Sequence, residues 1–102
     1  MKKKYVVLSY DDSGYLGHIH CIVNTEVEAQ RLENEFLGLT QLYSDYYKSV
    51  DPNKLTKEEW CNKYLPDLAN RLDIDVDEMF TMIDNRYDIS WVCKPVTKEK
   101  KD

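Results

Sequence analysis

The chain has 102 residues, of which 42% are hydrophobic and 32% charged, and its formal net charge is −5. This length fits one domain, the hydrophobic content exceeds that of disordered chains, and no segment approaches the roughly 20 apolar residues of a membrane span. A negative net charge disfavours direct binding to nucleic acid or to membrane surfaces. We therefore expect one globular domain over residues 1–97 and a solvated charged tail over 98–102.

The N-terminal segment is typical of an antiparallel β-hairpin. Residues 4–10 are rich in β-branched and aromatic types and predict a first strand, and residues 11–14 (Asp-Asp-Ser-Gly) predict a turn. Residues 18–23 predict the second strand. Its alternation assigns the side chains to two faces, one with Ile19, Cys21 and Val23 and the other with His18, His20 and Ile22.

A change of period then predicts a long amphipathic helix over about residues 26–49. Thr25 and Glu28 fit a capping box at its start. Apolar residues follow with a repeating spacing of three and four, at positions 29, 32, 36, 39, 43, 46 and 50. This heptad stripe packs either on the sheet of its own domain, which its width favours, or against a second copy of the helix in a homodimer.

Shorter elements complete the chain. Thr56 and Glu59 fit a second capping box at the start of a short helix, and Pro66 either interrupts that helix or opens the next one at its first position. A further apolar turn includes Leu72, and Asp75 can cap a helix that runs through Asp84. Residues 86–93 alternate as a third strand, which Pro95 would stop. The predicted fold is α+β, in which a small antiparallel sheet, formed by the N-terminal hairpin and the C-terminal strand, packs against one long and two or three short helices.

Two histidines are the weak metal-ligand candidates of this sequence. His18 and His20 lie two residues apart on a predicted strand, so both imidazoles project from one face. That spacing suits two zinc ligands, but no acidic or sulfur ligand follows at a diagnostic spacing. We expect both side chains on the solvent face of the hairpin, with no bound metal and no other cofactor.

An acidic segment between residues 73 and 88 is the main indication of a partner. Six carboxylates there accompany one basic residue, Arg86, and we take all six as candidate contacts: Asp73, Asp75, Asp77, Glu78, Asp84 and Asp88. The segment imitates a calcium loop but lacks the required Gly and the terminal Glu. Asp75, Asp77 and Glu78 are explained equally well as a helix cap and first turn, so Asp84 and Asp88 are the better contact candidates.

Tyrosine and cysteine usage add two expectations. Tyrosines cluster near the end of the long helix, and we take Tyr47 and Tyr43 as candidate contacts because Tyr provides large contact area at low entropic cost. The three cysteines are odd in number and lack metal-ligand or disulfide spacing. Because each has apolar neighbours, we expect buried free thiols in a reducing cytosol, and hence a cytoplasmic protein.

These observations favour a non-enzymatic module that binds a protein partner with a basic surface, since no catalytic motif occurs. Such an acidic, tyrosine-bearing surface could also compete with nucleic acid for the basic groove of that partner. In size, acidity, compactness and lack of a catalytic motif, the chain resembles small phage-encoded inhibitors of host defence, such as anti-CRISPR proteins. The resemblance is one of overall character, so it assigns no role to any residue. The alternative is a small metal-binding or homo-oligomeric accessory protein.

Overall fold

The fold is the predicted α+β arrangement. A computed structural model describes residues 2–96, and the charged tail predicted over 98–102 lies outside them. The elements in chain order are β1 (Lys2–Tyr10), β2 (Leu16–Val23), α1 (Glu26–Lys48), α2 (Lys57–Tyr64), α3 (Pro66–Arg71), α4 (Val76–Asp84) and β3 (Asp88–Val96). Within residues 2–96, no helix combines the length and the apolar composition that crossing a membrane requires.

The three strands form one antiparallel sheet in the order β2-β1-β3. The C-terminal strand returns beside the hairpin, as predicted, because β3 pairs with β1 along its whole length. The prediction that Pro95 stops this strand is wrong, since β3 continues to Val96 with Pro95 opposite Lys3. Proline has no N–H to donate to a neighbouring strand. An edge strand tolerates it because only one side of such a strand is paired.

Two register shifts in β2 change the faces that its side chains occupy. The pairs with β1 run Val7–Cys21, Leu8–Ile19, Ser9–His18 and Tyr10–Leu16, so His20 and Gly17 are extra residues at the shifts. Directly opposed residues share a face. Cys21 therefore lies on the same side as His18, and Ile19 lies opposite both, which corrects the predicted alternation.

The helices α1, α2 and α4 begin where the capping residues predicted them, and α3 begins at Pro66 without a side-chain cap. The Thr25 hydroxyl accepts from the Glu28 N–H, whereas Thr56 and Glu59 form a reciprocal capping box, with bonds of 2.9 and 3.2 Å. Asp75 caps α4 by accepting from the Glu78 N–H at 2.8 Å. Because α4 starts at Val76, this acidic segment is a capped helix rather than a calcium loop.

The core lies between the sheet and the helices. The heptad stripe of α1 contributes Ala29, Leu32 and Phe36, which are buried with Leu65, Leu72, Met79 and Ile83 of the other helices and turns. Its later members Leu39, Tyr43 and Tyr46 pack partly against the same cluster. From Ala29 to Tyr46 the stripe thus packs on the chain's own core and is not free as a dimer seam, whereas Val50, its last predicted member, follows the end of α1 and is 95% exposed.

The cysteines differ from one another in exposure. All three are free, but only Cys61 is buried, while Cys21 is half-buried and Cys93 is exposed. The expectation of buried thiols is therefore correct for Cys61 alone. Cys93 lies in the edge strand β3, where it pairs with Tyr5.

Candidate functional site

Three of the predicted contact residues line one groove between α1 and the end of α4. We call it the α1–α4 groove, and its volume is about 450 Å³. The second half of α1 contributes Tyr43, Ser44, Tyr47 and Lys48, and the other wall is formed by Ile83, Asp84 and Arg86. Tyr43 and Tyr47 lie four residues apart, which places them on one helical face.

Tyr43 is held in place by a cluster of aromatic rings. Its ring meets Trp60 at 5.2 Å and Phe80 at 5.3 Å between centroids, both edge to face. Partial burial raises the pKa of its hydroxyl, and the negative charge of Asp84 raises it further. Tyr43 thus gives the groove a neutral aromatic side chain that is fixed by its packing.

Tyr47 is the exposed aromatic side chain of the groove. The residue is 72% exposed, and the centroid of its ring lies 6.1 Å from that of Tyr43. A large aromatic surface that is this accessible, beside a fixed aromatic neighbour, is typical of protein contact residues.

Arg86 borders the groove from an unusual backbone conformation. Its φ is 58°, in the left-handed region that side chains with a Cβ seldom adopt. The turn closes α4 through two bonds, from the Tyr87 N–H to Met82 O at 3.0 Å and from the Arg86 N–H to Ile83 O at 3.2 Å. This is a Schellman motif, whose left-handed position is most often glycine. The groove therefore contains a basic residue whose backbone carries a conformational cost.

The six acidic candidates do not form one surface. Asp84 lines the groove, and Asp77 lies on the same exposed face of α4 two turns earlier. Asp75 is the helix cap, and Asp73 occupies a second left-handed turn, with φ of 59°. Asp88 pairs with Tyr10 in the sheet, on the side away from the helices, because its neighbour Ile89 faces the core.

The sixth carboxylate, Glu78, is turned toward the sheet and meets the histidine pair. Glu78 Oε2 lies 3.1 Å from His18 Nε2, and the His18 and His20 rings are 5.4 Å apart. The two imidazoles share a face, as predicted. The expectation that both lie on the solvent face is wrong, because this face carries the helices and His20 is only 6% exposed.

His20 is buried with one ring nitrogen bonded and the other without a partner. The Nδ1–H donates to Leu72 O at 3.0 Å, which leaves Nε2 as a buried nitrogen that has no hydrogen bond within the described chain. Burial lowers the pKa of this imidazole. No group of three or more His, Cys, Asp or Glu side chains within residues 2–96 is arranged to hold a metal ion. Among the described residues, the histidine pair therefore has no third ligand of the kind that a zinc site needs.

The side of the sheet that faces away from the helices is largely apolar. Cross-strand pairing arranges nine positions in three rows, which we call the open sheet face: Leu16, Tyr10 and Asp88; Ile19, Leu8 and Ser90; Ile22, Val6 and Val92. Seven of the nine are aliphatic or aromatic. Ile19 is 66% exposed and Ile22 is 63% exposed. An exposed sheet face is normally polar, and apolar patches of this kind mark interaction sites.

Neither the open sheet face nor Arg86 was recognised as a candidate from the sequence. The signal for the face was present in β1, where Val6 and Leu8 on one side alternate with Tyr5 and Val7 on the other. Strands that are apolar on both sides are typical of sheets covered on both faces. For Arg86, the signal was only its place after the last helical residues, where a helix must be terminated.

Comparison of the chain with protein-family models, with curated proteins and with solved structures found no significant match.

Proposed function

We propose that this chain is a non-catalytic protein-binding module and that its α1–α4 groove contacts the partner. The observation that carries the proposal is the convergence of Tyr43, Tyr47 and Asp84, which are up to 41 residues apart in sequence, on one groove. Two aromatic side chains beside a carboxylate supply the contact area and the polar specificity that protein interfaces use.

The charge of the helical side supports a partner with a basic surface. Residues 24–87, which contain all four helices, include 14 Asp and Glu but only 7 Lys and Arg. This excess attracts basic surfaces, accelerates association with them and repels nucleic acid. Where the partner's basic surface is its nucleic-acid-binding groove, the module acts as an inhibitor by occupying it. That is the mode expected of the phage-encoded inhibitors that the chain resembles.

The two basic residues of the groove refine the expected partner. Lys48 lines the groove beside the tyrosines and Arg86 lines it on the wall that carries Asp84, so the groove is not uniformly acidic. A fitting segment of the partner presents a cationic side chain to Asp84 and carbonyl or carboxylate oxygens to Arg86. Asp88 lies on the other side of the sheet and is not part of this contact.

Affinity capture from the native host, followed by mass spectrometry, tests the proposal with matched variants. Tyr47→Ala and Asp84→Lys should each release the captured partner. Tyr15→Ala and Asp12→Lys are the matched controls and should retain the partner. Tyr15 is 74% exposed, close to the 72% of Tyr47, and Asp12 is exposed like Asp84. The controls make the same chemical changes in the hairpin turn, away from the groove.

Salt dependence tests the electrostatic part. Binding of a purified captured partner should weaken as ionic strength rises, because the acidic side and the basic partner surface attract through solvent. If all four variants retain the partner equally, the groove is not the contact surface. If binding is insensitive to salt, the charge does not recognise the partner.

A further inference from the structure

The structure assigns a second interaction surface to the open sheet face, and we propose that its occupant is a second copy of this chain. The dimer would be a sandwich in which two sheets pack face to face and the helical layers lie outside. This inference goes beyond the proposed function, because it uses the side of the sheet opposite the helices and the groove.

The open sheet face is separate from the domain's own core. Leu8 is buried at its centre, yet it does not belong to the core cluster formed by Val7, Ile89 and the helical side chains. The face exposes apolar side chains, and none of the four helices of the described chain covers it. In the part of the chain that the structure describes, all helical packing is on the other side of the sheet. The face is thus a second apolar layer in need of a cover.

The register shifts of β2 build this face. Because His20 is an extra residue, Ile19 and Ile22 project to the same side although they are three residues apart. A regular strand would have turned one of them into the core. The cost is the burial of His20, whose Nε2 has no partner among the described residues. The irregular pairing of β2 therefore exposes two isoleucines on the open sheet face.

Polar residues at the two ends of the face are complementary under a twofold axis. Lys4 extends the central strand at one end, next to Asn24, whose Oδ1 accepts from its ammonium. Asp88 lies at the opposite end. Two sheets related by an axis along the strands would bring Lys4 of one copy to the level of Lys4 of the other. An axis across the strands brings Lys4 to the level of Asp88 twice, once at each end, so charge selects this arrangement.

The chemistry and size of the face fit a self-association of modest strength. The exposed apolar side chains amount to roughly 500 Å² in one copy and about 1,000 Å² in a pair, which is below the roughly 1,200–2,000 Å² of stable specific interfaces and within the range of weak, transient ones. We therefore expect a dissociation constant of about 1–100 µM. The segment 97–102 reads Thr-Lys-Glu-Lys-Lys-Asp and has no aliphatic or aromatic side chain to offer such a face. A strongly acidic or basic partner surface fits it no better.

Sedimentation equilibrium of the purified protein over about 5–500 µM tests the proposal, and the concentration range follows from the expected constant. The wild type should show a monomer–dimer equilibrium, and Ile19→Lys should weaken it at least about 100-fold, because it inserts two charges into the sheet interface. Val27→Lys is the matched control: Val27 is 66% exposed, as Ile19 is, but it lies at the start of α1. Circular dichroism verifies the fold of each variant. Should Ile19→Lys not fold, Ile22→Lys in the next row makes the same test.

A charge-swap cycle tests the axis. Lys4→Glu and Asp88→Lys should each weaken the dimer by about tenfold, since each turns two attractive contacts into repulsive ones. The double variant should restore wild-type affinity. A wild type that stays monomeric at 500 µM, or equal effects of Ile19→Lys and Val27→Lys, would overturn the proposal. Single swaps that leave the dimer unchanged would overturn the axis across the strands. These measurements use no partner protein, so their failure leaves the proposed groove contact standing, and failure of that contact leaves the dimer standing.

Discussion

Replacing Arg86 by glycine should stabilise the protein. Arg86 occupies the left-handed position of the Schellman turn after α4, with φ of 58°. That conformation costs a residue with a Cβ about 1–2 kcal/mol, whereas glycine loses about 0.5–1 kcal/mol through the greater freedom of its unfolded chain. The difference predicts a gain of about 0.5–1 kcal/mol for Arg86→Gly. For a domain of this size, the melting temperature should rise by roughly 2–6 °C.

Urea unfolding, followed by the fluorescence of Trp60 and Trp91, measures this gain. Arg86→Ala is the control, since it removes the same side chain but keeps the Cβ, and it should change stability by less than about 0.5 kcal/mol. Asp73→Gly should give a smaller gain than Arg86→Gly, because Asp tolerates the left-handed region better than Arg. If Arg86→Gly is no more stable than Arg86→Ala, the turn is not strained and the reasoning is refuted.

The same pair of variants connects stability to the groove. Both lose the guanidinium that lines it, so both should weaken capture of the partner, although only the glycine variant is more stable. A residue retained at a stability cost beside a contact surface is common where function requires it. Retained binding in both variants would instead confine Arg86 to the turn.

Two further changes address the histidine pair and the second register shift. Burial lowers the pKa of His20 in the native state below its value in the unfolded chain, which is near 6.5. The contribution of the neutral imidazole to the free energy of unfolding is therefore complete above pH 6.5 and is lost as the pH falls below that value. The free energy of unfolding, measured by urea titration from pH 7.5 to 5, should therefore fall by at most about 1.4 kcal/mol per pH unit for this one proton, and His20→Gln but not His18→Gln should remove that part of the slope. An unchanged slope in His20→Gln would contradict the assignment. Gly17→Ala should cost about 1–3 kcal/mol, because its Cβ would lie 2.9 Å from Tyr87 Cε2. Thermal melting of Gly17→Ala with and without Tyr87→Leu checks this, since the smaller side chain should recover part of the loss; an equal loss in both backgrounds would exclude the clash.

The sequence predicted the elements of this fold because their signals are local. Thr25, Thr56 and Asp75 each mark a helix start within a few residues, and the spacing along α1 repeats often enough to identify its buried stripe. The antiparallel return of the C-terminal strand followed from the need to satisfy its backbone hydrogen bonds.

The faces of β2 could not be predicted, since they depend on pairing between strands. Counting alternate residues assigns His20 to the solvent and Ile19 to the core. Both assignments are wrong, because one extra residue in β2 turns His20 toward the helices and Ile19 away from them. A single shift reverses every side chain beyond it. Nothing in the residues around His20 indicates where the shift occurs.

The groove was predicted only in part for the same reason. Tyr43 and Tyr47 could be placed together, because they share a helix, and Asp84 could be singled out, because no cap explains it. Their meeting across two helices depends on the packing of α4 against α1, which no local pattern specifies. Asp88 seemed equivalent to Asp84 in sequence, but the entry into β3 directs it to the other side of the sheet.

Amide hydrogen exchange of the protein with and without its captured partner tests the assignment of the binding surface most directly. Amides of residues 40–48 and 83–86, which border the α1–α4 groove, should become protected when the partner binds. Those of Leu16–Val23 should exchange as in the free protein at the same concentration, since the proposed contact lies on the other side of the sheet from the open sheet face. Protection confined to β2 and β3, with the groove segments unchanged, would contradict the groove as the partner contact and assign that role to the open sheet face.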